Sequence, residues 1–181
     1  MRTQALILLC ILAFAVKAVA DEPPSWRDFE VKSGNGKFLA EVKAKADQKN
    51  LPYFQWKYEL TVYQVDDQSK VRMWSANYKY DGYAEGMLSD DGSKFVYVNF
   101  WYYRDAPVVS IYGSDLSVKV LYGGEFHINM KKFRKHTRSW LSIEPSQVEF
   151  SNMDAPPLLL KILTIDKKLH IVDLETGRLL R

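Results

Sequence analysis

A turn followed by an alternating strand occurs twice in the chain and constrains the fold more than any other feature. The two copies read SGNGKFLAEVKA (33–44) and SDDGSKFVYVNF (89–100). In each copy an Asn or Asp side chain can bond to nearby backbone, and the glycine after it accepts a positive φ, so the chain reverses into a strand. Both faces of the second strand are apolar, which predicts a central strand with Val96 and Val98 in the core.

Three further segments each read as strand, polar turn and strand, and they predict hairpins. They span residues 58–74, 107–122 and 167–181. Additional strands are expected at 148–150 and 158–165. The spacing between the hairpins is irregular, so we expect any internal repeat to be degenerate.

One segment, EFHINMKKFRKHTRSW (125–140), departs from the β pattern. Phe126, Met130 and Phe133 are spaced i, i+4 and i+7, so on a helix they would share one stripe. The opposite side would carry five basic side chains: Lys131, Lys132, Arg134, Lys135 and Arg138. We therefore expect one short basic amphipathic helix near 125–137.

The Ser-x-Asp-Gly turn, the buried strand and the hairpin that closes on Asp173-x-x-Thr176-Gly177 resemble the blades of β-propellers and of uncharacterised exported bacterial β-repeat proteins. The resemblance covers 33–122 and 158–181, and it implies a scaffold for binding. Propellers commonly need about four or more blades, whereas this chain offers two and a partial third. The expected fold is all-β, with antiparallel meander or propeller-blade-like sheets in an incomplete propeller or a sandwich.

The N-terminus predicts export. Arg2 precedes an apolar stretch at 5–16, and Ala18-Val19-Ala20 is a small-x-small end of the kind that signal peptidase accepts. The stretch is shorter than the about 20 apolar residues of a permanent membrane helix, and no comparable run follows it. We expect a signal peptide over 1–20, cleaved after Ala20, and a single β domain over 21–181. The mature chain would have no transmembrane segment and would be secreted or periplasmic.

Cysteine content and charge narrow the possibilities further. Cys10 is the only cysteine and lies in the predicted signal peptide, so the mature domain would be held together without disulfides. The chain has 25 Lys and Arg against 22 Asp and Glu, and Arg2 and Lys17 lie in the signal peptide. A nearly neutral mature domain does not support a general nucleic-acid partner.

Two surfaces are candidates for binding. Aromatic side chains near strand ends can stack on sugars or peptides, although they can equally close the core: Tyr78, Tyr80, Tyr83, Trp101 and Tyr103. They favour an exported non-catalytic binding or interaction module for an unknown glycan, peptide or protein. The alternative is a cell-envelope surface protein that docks to anionic partners through the basic helix, whose basic face can also be simply solvated.

The order of the aromatics after the buried strand adds one expectation about exposure. If that strand continued, Phe100 and Tyr102 would face one way, and Trp101 and Tyr103 would face the other. Phe100 continues the side of Val96 and Val98. We therefore expect Trp101 and Tyr103 to be the partly exposed pair.

Catalytic and metal-binding signatures are not found in the sequence. It has no Gly-x-Ser-x-Gly, no His-Glu-x-x-His and no phosphate-binding Gly-x-x-x-x-Gly-Lys-Ser/Thr motif. His127, His136 and His170 lack the close spacing of a zinc site. We expect no enzymatic activity, no catalytic residue, no cofactor and no metal site.

Export predicts a defined mature N-terminus. Intact-mass analysis of the protein secreted by a bacterial host should give the mass of a chain that begins at Asp21. A mature protein that retains Met1 or the apolar stretch at 5–16 would contradict the predicted cleavage.

Overall fold

The structure is a computed structural model, and it describes residues 24–46, 48, 50–129, 131, 139–142, 147–151 and 157–180. These residues form twelve strands and two short 3-10 turns, Tyr53–Gln55 and Gly123–Phe126. The strands are β1 Phe29–Lys32, β2 Phe38–Ala44, β3 Tyr58–Val65, β4 Lys70–Tyr78, β5 Met87–Leu88, β6 Lys94–Val98, β7 Pro107–Gly113, β8 Val118–Tyr122, β9 Val148–Ser151, β10 Leu159–Leu163, β11 Leu169–Asp173 and β12 Arg178–Leu180.

The strands form three four-stranded antiparallel sheets, each of which follows the order of the chain. Sheet 1 contains β1–β4, sheet 2 contains β5–β8 and sheet 3 contains β9–β12. The all-β meander expected from the sequence is confirmed. The third unit is a full four-stranded sheet, where the sequence predicted only part of one. Within the described ranges no sheet closes on itself, and no helix is long and apolar enough to span a membrane.

The predicted hairpins are confirmed as the last two strands of each sheet: β3–β4, β7–β8 and β11–β12. The two further strands expected near 148–150 and 158–165 correspond to β9 and β10, which pair antiparallel with each other. Turn residues therefore located these reversals correctly, and the alternating residues beside them form the paired strands.

The two predicted Ser-x-(Asn/Asp)-Gly turns have the same internal geometry. Ser33 Oγ donates to Asn35 Oδ1 at 2.8 Å, and Ser89 Oγ donates to Asp91 Oδ1 at 2.6 Å. The glycine that follows has φ of 72° in the first turn and 68° in the second. Each turn joins the first two strands of its sheet, so the sequence pattern identified an equivalent place in sheets 1 and 2.

A third turn of this kind joins β10 to β11 and was not predicted. Thr164 Oγ1 donates to Asp166 Oδ1 at 2.7 Å, and Lys167 N donates to Thr164 O at 2.9 Å. Lys167 has φ of 65° in the position that glycine takes in the other two turns. The Thr-x-Asp spacing was the available signal, and the missing glycine concealed it.

The first two turns also join sheet 1 to sheet 2. Asn35 N donates to Asp90 Oδ1, and Asn35 Nδ2 donates to Asp90 O, both at 2.8 Å. Trp74 Nε1 donates to Gly92 O at 2.7 Å. The repeated sequence motif therefore bonds to its own second copy, which fixes these ends of the two sheets against each other.

Two apolar clusters lie on opposite faces of sheet 2. Cluster A combines residues of sheets 1 and 2, and cluster B combines residues of sheets 2 and 3 with Phe126 and Trp140. Strand β6 supplies Phe95 and Tyr97 to cluster A and Val96 to cluster B, and all three are buried. This confirms β6 as a central strand buried on both sides. Val98, at its end, is half-buried against cluster B.

The helix expected near 125–137 does not begin where it was predicted. Residues 123–126 form a 3-10 turn that ends at His127, whose φ of 47° is left-handed and cannot continue a right-handed helix. Glu125 Oε1 accepts from Tyr122 N at 2.7 Å, and Phe126 packs edge-on against Trp140 at 4.7 Å. These contacts anchor the turn. Lys131 is exposed, and the other residues of the expected helix, Met130, Lys132, Phe133, Arg134, Lys135 and Arg138, lie outside the described part of the chain.

The two turn glycines give a matched test of the contact between sheets 1 and 2. Both have left-handed φ, but a Cβ on Gly36 would meet no atom within 4 Å, whereas a Cβ on Gly92 would lie 2.4 Å from the Phe38 ring. Gly36→Ala should lower the free energy of unfolding by about 1–2 kcal/mol. Gly92→Ala should lower the free energy of unfolding by this amount and by a further about 1–3 kcal/mol, because the added Cβ overpacks against Phe38. Equal losses in urea denaturation would contradict the close packing of the two turns.

Candidate functional site

Two loops meet at the ends of β4 and β6 and bring together aromatic residues predicted from the sequence. The first loop spans 79–86 and the second spans 99–106. Trp101 Nε1 donates to Tyr83 OH at 2.9 Å, and both side chains are half-buried. We call the surface formed by these two loops the loop surface. A direct bond between two aromatic side chains gives each ring a defined position there.

Asp81, in the first loop, accepts hydrogen bonds from its own loop, from β6 and from the second loop. Its Oδ2 accepts from Tyr97 OH at 2.6 Å and from Asn99 Nδ2 at 3.2 Å, and its Oδ1 accepts from Tyr83 N at 3.3 Å. Tyr97 belongs to β6, so the carboxylate connects the rigid central strand to the first loop. Asp81 therefore positions Tyr83 and Asn99, which both form hydrogen bonds with Trp101.

Burial perturbs the proton affinities of the Asp81–Tyr97 pair. Desolvation raises the pKa of Asp81, although the hydrogen bonds from Tyr97 and the backbone oppose that rise. Desolvation and the neighbouring Asp81 carboxylate raise the pKa of Tyr97 well above its usual range. Tyr97 therefore stays protonated and remains a hydrogen-bond donor at any physiological pH.

Asn99 explains why the strand ends where it does. Its Oδ1 accepts from Trp101 N at 2.8 Å, and its backbone O accepts from Trp140 Nε1 at 2.7 Å. The side chain thus bonds to backbone two residues along the chain, as in other Asn-initiated turns. The result is that β6 stops at Val98 and the chain enters the second loop.

Trp101 and Tyr103 are partly exposed and Tyr102 is buried, as expected, whereas Phe100 was expected on the buried side and is only half-buried. Tyr103 is 48% exposed and Tyr102 is 6% exposed, with Tyr102 OH donating to Gly123 O at 2.9 Å. Phe100 and Trp101 are both half-buried and contact each other edge-on at 5.8 Å. Strict alternation between them fails because the strand has already ended.

Tyr78 and Tyr80 pack in and against cluster A and are not part of the Trp101–Tyr83 hydrogen bond. Tyr78 is a core residue of cluster A, 6% exposed and packed edge-on against Phe95 at 5.9 Å. Tyr80 is half-buried, and its ring lies 4.7 Å from Tyr58. Of the five predicted aromatics, the structure therefore joins Tyr83 to Trp101 and leaves Tyr103 exposed on the second loop.

The N-terminal segment of the described chain supports the first loop, which the sequence did not indicate. Tyr80 OH donates to Ser25 O at 3.0 Å, and Ser25 N donates to Gly82 O at 2.7 Å. Gly82 has φ of 95°, and a Cβ there would lie 2.5 Å from Pro24 Cβ. The Asp81-Gly82 pair was the available signal, since Asp-Gly is typical of a tight turn.

The described residues contain no group of three or more His, Cys, Asp or Glu side chains placed to hold a metal ion. The two loops carry three carboxyl groups, those of Asp81, Glu85 and Asp105. Both oxygens of Asp81 already accept hydrogen bonds from the chain. Besides the charged side chains at its exposed positions, the surface offers a ligand aromatic rings and the polar groups at their edges.

The raised pKa of Asp81 predicts a pH-dependent stability with a definite sign. The folded protein binds this proton more tightly than the unfolded chain, so the contribution of Asp81 to stability is greatest below about pH 3.9 and is lost as pH rises through the folded pKa. The Asp81→Asn side chain does not titrate, so the variant does not lose this contribution as pH rises. The free energy of unfolding of Asp81→Asn, measured by urea denaturation, should therefore increase relative to that of the wild type between about pH 3 and pH 7.

Asp66→Asn is the matched control, because hydrogen bonds from Ser69 and Gln68 lower the pKa of the exposed Asp66. The free energy of unfolding of the wild type should increase relative to that of Asp66→Asn as pH rises, which is opposite to the change expected for Asp81→Asn. If the two variants change in the same direction relative to the wild type, the assignment of Asp81 as a desolvated carboxyl group is wrong.

Comparison with known proteins does not assign this loop surface to a family. No protein-family model matches the chain, and no curated protein matches it either. The function has to be inferred from the geometry of the site itself.

Proposed function

We propose that the protein is an exported, non-catalytic binding module that recognises a glycan or peptide through the loop surface. The observation that carries this proposal is the bond between Trp101 and Tyr83, which holds two half-buried rings together; the 48% exposed Tyr103 lies on the same loop as Trp101. Rings already fixed in position lose little conformational freedom when a ligand binds, and preorganisation of this kind favours affinity.

The chemistry of the rings supports a glycan or peptide as the ligand. Flat aromatic faces stack on the apolar faces of sugars and on peptide side chains, while Tyr and Trp add polar edges. The indole N–H of Trp101 is already bonded to Tyr83. Stacking on the Trp101 ring, together with contact to Tyr103, is therefore the interaction that this surface can supply.

The bonding of Asp81 supports a binding function over proton transfer. A carboxyl group that serves as a general acid or base must be within hydrogen-bond reach of the reacting atom. The oxygens of Asp81 accept instead from Tyr97, Asn99 and the Tyr83 backbone. We therefore assign Asp81 a positioning role for the two loops.

The architecture supports the same proposal. Each sheet is a four-stranded meander, as propeller blades are, and folds of this type mostly present loops for binding. The predicted signal peptide over 1–20 and the restriction of cysteine to Cys10 agree with a secreted or periplasmic domain. The likeness to exported β-repeat proteins remains part of this proposal.

The alternative function, docking to an anionic envelope component through a basic helix, has less support. Its basic residues Lys132, Arg134, Lys135 and Arg138 lie outside the described part of the chain. Lys131 is exposed, but the turn before it ends at His127 with left-handed backbone. Binding that persists at high salt would favour the loop surface, whereas docking through basic side chains would weaken as charges are screened.

The double variant Trp101→Ala/Tyr103→Ala tests the proposal. A panel of soluble oligosaccharides and proline-rich peptides would be screened by shifts of the indole N–H resonances of the five tryptophans. Any probe that shifts the Trp101 resonance should bind the double variant about 5- to 150-fold more weakly, because two stacking contacts of about 0.5–1.5 kcal/mol each are lost.

The matched control is Tyr53→Ala/Phe54→Ala, which removes two aromatic side chains that are 62% and 65% exposed on a different turn. This control should bind the probe as the wild type does. Thermal melts of both variants separate lost binding from lost folding. Equal binding by a folded Trp101→Ala/Tyr103→Ala variant, or a panel in which no probe shifts the Trp101 resonance, would contradict the proposal.

A further inference from the structure

A concave site lies away from the loop surface, between the 3-10 turn at Gly123–Phe126 and the β11–β12 hairpin. It is a cavity of about 570 Å³ with both apolar and polar walls. Its apolar lining comes from Phe126, Leu169, Leu179 and Leu180. Leu169 is 57% exposed and Leu180 is 48% exposed, so large apolar side chains stand at the mouth of the cavity.

The polar lining consists mainly of hydrogen-bond donors. Lys168 and Arg178 carry positive charge, and His127 and His170 contribute imidazole rings. Glu125 is the acidic residue among those that line the cavity, and its Oε1 already accepts from Tyr122 N at 2.7 Å. The lining therefore has more groups suited to an anion than to a cation.

Lys168 is held at the edge of the cavity by two contacts. Its Nζ lies 3.2 Å from Asp166 Oδ2 and donates to His127 O at 3.2 Å. The Asp166 carboxylate is itself occupied, because it accepts from Thr164 Oγ1 at 2.7 Å and from Asn129 N at 3.2 Å. Asp166 thus fixes Lys168 without presenting a free negative charge to the cavity.

His170 provides the strongest indication that the cavity binds a ligand. Its Nε2 atom is buried and has no hydrogen-bond partner in the part of the chain that the structure describes. The ring is held edge-on against the buried Phe126 at 5.2 Å. A buried polar atom without a partner costs stability, and a ligand acceptor that reaches Nε2 when the side chains covering it move aside would remove that cost.

We propose that this cavity binds a small organic anion. Its phosphate or carboxylate group would accept a hydrogen bond from His170 in the tautomer that carries the proton on Nε2, and it would pair with Arg178, while its apolar body would contact Leu169 and Leu180. The two requirements match the two kinds of lining, since cationic donors recognise the oxyanion and leucine side chains bury the rest. The site shares no residue with the loop surface, so the proposal stands independently of the function inferred there.

Phenyl phosphate and benzoate are suitable probes because each combines an oxyanion with an apolar ring. In a titration of the isotope-labelled mature protein, at least one of them should produce saturable shifts of the His170 ring nitrogens and of amides in 168–170 and 178–180. Inorganic phosphate lacks the apolar body and benzyl alcohol lacks the charge, so both should bind more weakly. The tighter of the two probes identifies the preferred headgroup. Absence of saturable shifts with both would overturn the proposal.

Two variants and a control test the assigned contacts. His170→Phe keeps a ring against Phe126 and removes the unpartnered nitrogen, so it should bind the preferred probe about tenfold or more weakly with an unchanged or raised melting temperature. Arg178→Gln, which changes an exposed side chain, should weaken binding by a similar factor. Lys37→Gln, at an exposed position in the β1–β2 turn, should bind as the wild type does.

The outcomes separate a ligand site from a structural role. Weaker binding by folded His170→Phe and Arg178→Gln, with normal binding by Lys37→Gln, supports the proposal. Wild-type affinity in either pocket variant, or an equal loss in all three variants, contradicts it. If His170→Phe does not fold, Arg178→Gln alone decides, because its side chain lies outside the core clusters.

Discussion

Burial of the middle sheet on both faces is the constraint on which the rest of the structure depends. Strand β6 lies between β5 and β7 and contributes Phe95 and Tyr97 to cluster A and Val96 to cluster B. The one cysteine of the chain lies in the predicted signal peptide, so apolar burial and hydrogen bonds must provide the stability. A sheet shared by two cores allows a chain of this length to bury large aromatic side chains without a disulfide.

Polar contacts at the ends of the strands set how the outer sheets lie on the middle one. Asn35 and Asp90 join sheet 1 to sheet 2 through two hydrogen bonds. Lys94, whose side chain is only 4% exposed, joins sheet 2 to sheet 3 through Glu175 at 3.1 Å. A buried ammonium group requires such a partner, so this pair fixes the position of the β11–β12 turn. At the other end of β6, Asp81 accepts hydrogen bonds from Tyr97 and Asn99, which hold the two loops to the strand.

Local sequence patterns predicted the parts of the fold that local physics determines. The glycines at 36 and 92 and the two-sided apolar run at 95–98 were sufficient to locate two turns and the central strand. The Thr164–Lys167 turn escaped prediction because lysine occupies its left-handed position. The helical spacing of Phe126 was misleading, since that side chain packs against Trp140 from a 3-10 turn. A local substitution at the turn decided the first case, and long-range packing, which a single sequence does not display, decided the second.

The candidate site was predictable only in part for the same reason. Aromatics near strand ends were found by composition, but the sequence did not separate Tyr78, which is core, from Tyr83, which bonds to Trp101. Asp81 and Asn99 were not singled out as site residues, because their roles depend on contacts 16 to 18 residues along the chain. The cavity beside His170 likewise requires residues from the 3-10 turn and from β11–β12 to meet.

Native-state hydrogen exchange tests the central claim most directly. If the middle sheet depends on both clusters, the amide protons of β6 should exchange most slowly, with an opening free energy equal to that of global unfolding. Amides of β3 and β10, which face one cluster each, should exchange no more slowly than those of β6. Exchange of the β6 amides that is faster than that of β3 or β10 would contradict a fold organised around a doubly buried middle sheet.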